Sequence, residues 1–186
     1  MASESISAEE AEEAIESAEE TGDLNRLLSI IETSTKYGGA AEEWEAPTEA
    51  ALDAFYRVVK GGNKSAPSES LSILWKNLTK WIGCEAIAEV CLGCIVYASK
   101  SVDESTISDV DTTLIITVMQ KYEEEGTIQE QACLAIESMA ASSASLNGKL
   151  KCDEVKEELI AAKDRISNER NKKYPGLAAV ALGMEL

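Results

Sequence analysis

The chain contains no histidine, which removes from its side chains the commonest general base and the commonest zinc ligand. It has one phenylalanine and three tryptophans, so its core must be built mainly from Ala, Leu, Ile, Val and Cys. Only three of its 186 residues are proline, and few positions therefore break a helix. No apolar run approaches the roughly 20 residues that cross a bilayer. These absences predict a helical protein that does not span a membrane and has no catalytic activity.

Positive charge is scarce as well. The chain has 34 acidic against 17 basic residues and a net charge of −17, a field that repels phosphate. We therefore expect no binding to nucleic acid or anionic membranes, whereas the charge does not exclude binding of basic partners or cations. Five cysteines, together with an acidic start that lacks an apolar leader, predict reduced thiols and a cytoplasmic location. No cofactor and no metal site is predicted.

Helical spacing of apolar residues runs through almost the whole chain, and convincing strand alternation is found nowhere. Segment 8–20 follows Ser7 and Glu10 in capping-box spacing, which predicts a very acidic first helix that covers one end of the core. Thr127 and Glu130 have the same spacing and predict the start of a later helix. The fold class predicted is therefore all-α.

Pairs of amphipathic helices recur along the chain about every 40 residues, a period typical of helical solenoids. One β-branched run, at 112–118, could also form a strand, but the pattern on either side favours a helix. We predict one domain over 1–186, made of the acidic capping helix and four helical hairpins. The predicted repeats are 22–62, 68–101, 109–143 and 152–186.

Two of the cysteines have the C-x-x-C spacing of metal and redox sites. Cys91 and Cys94 fall, however, at the positions that Leu52 and Phe55 occupy in the preceding repeat. A position that accepts Leu or Phe in a sister repeat belongs to the core, where cysteine behaves as a small hydrophobic residue. The pattern favours packing, and the alternative is a helical protein that binds a metal or small molecule through its thiols or an internal cavity.

Segment 128–142, "IQEQACLAIESMAAS", resembles the third helix of an armadillo repeat. The matching pairs are Gln129-Glu130, Ala132-Cys133, Ala135-Ile136 and Met139-Ala140. The resemblance implies a short right-handed α-solenoid, armadillo- or HEAT-like, of about four hairpins. Its last helices would line a concave groove that binds an extended peptide or a partner protein.

In the nuclear-import branch of that family, Trp and Asn side chains of this helix form ladders that hold basic peptides. The corresponding residues here are Asp53, Leu92, Leu134 and Ala178 for Trp, and Arg57, Val96, Ser138 and Leu182 for Asn. Because none of them is Trp or Asn, the resemblance does not predict an import adaptor. It predicts a largely apolar groove whose partner-binding residues are Asp53, Arg57, Leu92, Val96, Leu134, Ser138 and Leu182. The alternative is that these helices are covered by another layer, a longer array or a second copy.

Segment 174–186 is apolar on every side and lacks the polar outer face of a capping repeat. We expect it to fold back or to be covered by a neighbouring chain, and homodimerisation through it is one hypothesis. The function predicted is a protein–protein interaction scaffold or adaptor. The alternatives are a structural subunit of a homo-oligomer or larger assembly, and the helical protein that binds a metal or small molecule.

Overall fold

A computed structural model describes residues 6–37, 42–62, 64–102, 107 and 110–186. These residues form ten α-helices packed together and, within the described part, no strand. In chain order the helices are α1 Ala8–Thr21, α2 Leu24–Thr35, α3 Glu45–Lys60, α4 Ser70–Lys80, α5 Glu85–Ala98, α6 Thr113–Lys121, α7 Gly126–Ser142, α8 Ala144–Leu150, α9 Asp153–Arg165 and α10 Tyr174–Leu182. The all-α prediction is confirmed, and no helix in these ranges combines the length and apolarity needed to cross a membrane.

Helix α1 begins as its capping box predicts. The Ser7 hydroxyl accepts from the Glu10 backbone N–H, and the Glu10 carboxylate accepts from the Ser7 backbone N–H at 2.9 Å. The backbone N–H and the hydroxyl of Ser7 both donate to the Glu10 carboxylate, and they hold the pKa of Glu10 below its usual value. The helix ends at Gly22, whose φ of 65° lies in the left-handed region that a glycine adopts without strain.

The second predicted capping box is wrong. Helix α7 begins at Gly126 with no side-chain cap, because the two side chains concerned bind neighbouring segments instead. The Thr127 hydroxyl donates to Glu89 of α5 at 3.0 Å, and the Glu130 carboxylate accepts from Asn171 at 2.8 Å. Spacing alone could not reveal these partners, which are distant in the sequence.

For two other segments, the sequence pattern predicted one helix correctly and missed the other. The run 112–118 lies almost wholly in α6, so the preference for helix over strand is confirmed. The short helix α8 was not predicted. Ser143 starts it by accepting from the Leu146 backbone N–H at 3.1 Å.

Helix contacts follow a regular order. In a first series, formed by α1, α3, α5, α7 and α10, each helix packs against the next. The second series is formed by α2, α4, α6 and α9, in which α2 packs against α4 and α6 packs against α9. Contacts between the two series are made by α2 with α3, α4 with α5, α6 with α7 and α9 with α10. The apolar core lies between the two series.

Several polar side chains tie helices together across this core. The amide of Asn77 donates to the Ile31 carbonyl at 3.3 Å and to the Ser34 hydroxyl at 3.2 Å. The Tyr122 hydroxyl donates to the Ile82 carbonyl at 2.9 Å. Removing one partner of a buried bond, such as those of Asn77, costs about 1–3 kcal/mol, so these bonds help to hold α2 and α4 together.

Candidate functional site

The C-x-x-C cysteines are core residues, as predicted. Cys91 and Cys94 are fully buried, and their thiols donate to the carbonyls of Leu74 and Leu52, each at 3.3 Å. Burial raises the pKa of both thiols, and it raises that of Cys133 to about 12. The described residues contain no group of three or more Cys, Asp or Glu side chains that could hold a metal ion.

Two of the apolar residues predicted to line the groove are buried in the core. Leu92 has no exposed area and Leu182 is 1% exposed, so the prediction that they line an open groove is wrong. Leu92 is inside because α5 packs against α3, α4 and α7 at once, and Leu182 is inside because α10 packs against α7. Val96 and Leu134 are half-buried.

The polar residues predicted for the groove have varied environments. The Ser138 hydroxyl donates to the Val96 carbonyl at 2.7 Å and thus links α7 to α5. The guanidinium of Arg57 makes two hydrogen bonds to Glu19 of α1, at 2.5 and 2.8 Å. They raise the pKa of Arg57 and lower that of Glu19. Asp53 is half-buried and, alone among the predicted residues, lines the cleft described next.

The cleft opens on the series of helices α3, α5 and α7, which run in the same direction. Leu52 of α3 meets Cys94 of α5, and further along both helices Tyr56 meets Tyr97. In the same way, Glu89 of α5 contacts Thr127 of α7, and further along both helices Val96 contacts Ser138. When the contact partners on two helices advance along both chains together, the two helices run in parallel. All three helices therefore begin at the same edge of this face.

The cleft has a volume of about 310 Å³. It is lined by Glu49, Asp53, Tyr56, Ala86, Glu89, Val90, Gly93 and Gln131. These residues come from α3, α5 and α7, three of the four helices on which the sequence predicted a groove, the fourth being α10. Most of the lining residues were nevertheless not among those predicted.

A glycine shapes the wall of the cleft. A Cβ added at Gly93 would lie 3.2 Å from a carbon of the Tyr56 ring and 3.5 Å from the side-chain oxygen of Gln131. The missing side chain therefore lets the tyrosine of α3 and the glutamine of α7 approach the backbone of α5. Gly93 gives the three helices a common point of contact beside the cleft.

The lining is acidic. Glu49, Asp53 and Glu89 contribute three carboxylates, and none of the described lining residues is basic. Arg57 lies one turn beyond Asp53 on α3, but its guanidinium is bound to Glu19. Glu49 and Glu89 are 40 residues apart, close to the period predicted for the helix pairs, but acidic residues are so frequent that this spacing alone does not mark a site. Comparison with known proteins gave no match among family models, curated proteins or solved structures.

Proposed function

We propose that the chain is a short armadillo- or HEAT-like α-solenoid that binds an extended basic segment of a partner protein in the cleft between α3, α5 and α7. The observation that carries the proposal is the set of three cleft carboxylates, Glu49, Asp53 and Glu89, with no basic residue among the described lining. The solenoid is supported by the regular order of helix contacts and by the parallel course of α3, α5 and α7. A stack of parallel helices presents such a face along its length.

Charge decides which kind of partner suits the cleft. An acidic or phosphorylated segment would be repelled both by the cleft carboxylates and by the net charge of −17. A lysine or arginine side chain would gain charge-assisted hydrogen bonds to the carboxylates.

The lining also favours a peptide over a small organic ligand. Pockets for small molecules are enclosed and lined mainly by apolar and aromatic side chains. Here the lining includes three carboxylates and the amide of Gln131, with Tyr56 and Val90 as the larger apolar surfaces. Such a surface suits a few basic side chains of an extended chain, and this partner chemistry replaces the largely apolar groove expected from the sequence.

Fluorescence polarisation with a labelled arginine-rich peptide tests the proposal. The variant Glu49→Gln/Asp53→Asn/Glu89→Gln should weaken binding by about tenfold or more, equivalent to about 1.4 kcal/mol. The matched control is Glu12→Gln/Glu13→Gln/Glu16→Gln at exposed positions of α1, which removes the same charge from residues that do not line the cleft. Equal losses in the two variants would show that the peptide senses only net charge, and the cleft would be rejected as the site.

Self-association through α10 is a second candidate, and it rests on a separate observation. Leu177 and Val180 of α10 are 41% and 74% exposed, one helical turn apart. Residues 149–186 hold eight basic and seven acidic side chains, so two copies would repel each other less there than elsewhere. Apolar area on a nearly neutral surface is typical of an interface.

Light scattering distinguishes this candidate from the first. If α10 pairs two copies, the wild type is a dimer, and Leu177→Glu/Val180→Glu converts it to a monomer. The control Ala46→Glu/Ala50→Glu adds the same charge at exposed positions of α3 and should leave the dimer intact. A monomeric wild type at micromolar concentration would refute self-association and leave the cleft proposal unaffected.

A further inference from the structure

Beyond the acidic cleft, the same face carries a pair of lysines held over tyrosine rings. The Lys60 ammonium lies 5.0 Å from the centre of the Tyr56 ring, and that of Lys100 lies 4.8 Å from the centre of the Tyr97 ring. The two rings are 5.6 Å apart and meet edge to face, at 77°. These four side chains form one cluster, the lysine–tyrosine cluster, which joins the end of α3 to the segment after α5.

The lysine–tyrosine cluster is continuous with the acidic cleft. Tyr56 belongs to both, since its ring lines the cleft and also lies under Lys60. Because α3 and α5 run in parallel, Glu49 and Glu89 lie towards the beginning of their helices, and Lys60 and Lys100 lie at or just after the end. The face is therefore acidic at one edge and basic at the other.

Helix dipoles account for only part of this polarity. They favour acidic residues in the first turn and basic residues in the last turn of a helix. Asp53, however, lies in the third turn of α3, beyond the reach of that effect. Within the described part of the chain, neither Lys60 nor Lys100 forms an ion pair with a carboxylate, although acidic residues outnumber basic ones two to one. Among the described residues, no carboxylate pairs with either ammonium group, which favours an acid of the bound segment as its partner.

Resting on the proposed function, we infer that the bound segment is bipolar, with a basic side chain among the cleft carboxylates and an acidic side chain between Lys60 and Lys100. The segment then runs along α3, and the spacing of its side chains follows from that helix. Asp53 and Lys60 are seven residues apart, which at 1.5 Å per residue is about 10 Å. An extended peptide rises about 3.3 Å per residue, so its basic and acidic side chains lie about three residues apart.

Four labelled peptides test the inference on the full chain. The first has arginine followed three positions later by glutamate, the second has the reverse order, and in the third and fourth glutamine replaces the glutamate of the first and second. In at least one order, the glutamate peptide should bind wild type about threefold or more tightly than the glutamine peptide, as expected for one partly exposed charge pair. The variant Lys60→Gln/Lys100→Gln should lose this preference.

A matched control separates the cluster from lysine–tyrosine contacts in general. Lys121 and Lys173 also lie over tyrosine rings, of Tyr122 and Tyr174, and Lys121→Gln/Lys173→Gln should keep the preference. If glutamate and glutamine peptides bind equally well in both orders, the bipolar inference is overturned while the cleft proposal stands. If binding of every peptide survives Glu49→Gln/Asp53→Asn/Glu89→Gln, the proposed function itself fails. Circular dichroism confirms that each variant is folded.

Discussion

The two sides of helix α5 differ in what they contribute to the molecule. One side is buried against α3, α4 and α7, and Cys91 and Leu92 there have no contact with solvent. The other side lines the cleft, where Glu89 contributes a carboxylate and Gly93 leaves room for the Tyr56 ring. Side chains on the buried side fill the core, whereas residues on the cleft side leave an open volume that is lined by carboxylates. Under the proposed function, Leu92 serves stability and its neighbour Gly93 serves binding.

The largest effect should come from the buried side. Leu92→Ala removes a fully buried side chain where three helices meet, and it should lower the free energy of unfolding by about 2–5 kcal/mol. Urea unfolding measures the loss, and peptide affinity under native conditions should stay within about twofold of wild type, since Leu92 does not line the cleft. Val96→Ala, at a half-buried position of the same helix, is the control and should cost less. A loss below about 1 kcal/mol would contradict the burial of Leu92.

A second effect concerns the buried thiols and depends on pH. The pKa of Cys133 is about 12 in the folded chain, against a usual value of 9.0. Between these values the unfolded chain loses the proton and the folded chain keeps it, so the folded state is destabilised as pH rises above about 9. The slope is about 1.4 kcal/mol per pH unit for each such thiol.

Comparison of variants isolates this thiol. Unfolding of Cys133→Ala should depend less steeply on pH than unfolding of wild type above about pH 9, by about one thiol. Ile136→Val changes another buried residue of α7 without a titrating group, and it should lower stability equally at every pH. Parallel wild-type and Cys133→Ala profiles would show that the thiol titrates normally and is not in the core.

The sequence predicts the helices of α5 and its neighbours better than it predicts which side faces outward. Residues 90–98 of α5 are almost all apolar, so the periodicity does not distinguish a buried side from an open one. Each residue turns the helix by about 100°, and a shift of one position moves a side chain from surface to core. The groove positions carried over from the armadillo resemblance include Leu92, whereas the cleft is lined by Gly93.

The acidic cleft was missed for a different reason. Its carboxylates come from two helices, and among 34 acidic residues no local cluster marks Glu49, Asp53 and Glu89 as a set. Only the packing of α3 beside α5 brings them to one surface. Lys60 and Lys100 are likewise separated in the sequence, and they are linked only through the contact between the two tyrosine rings beneath them.

The smallest effect on stability should come from the cleft side of α5. Gly93→Ala gains about 1 kcal/mol of helix propensity, and it loses a similar amount because the new methyl group pushes against the Tyr56 ring. The free energy of unfolding should therefore change by less than about 1 kcal/mol. Binding of the arginine-rich peptide should nevertheless weaken severalfold, because the displaced ring narrows the cleft.

Gly148→Ala in α8 is the matched control, since a Cβ there meets nothing within 4 Å. This variant should gain only the higher helix propensity of alanine, which raises the free energy of unfolding by up to about 1 kcal/mol. Peptide binding should not change. If Gly93→Ala instead destabilised the chain as much as Leu92→Ala, Tyr56 would be packed as rigidly as the core. The two sides of α5 would then be one continuous interior, and the cleft would have no room to admit a peptide side chain.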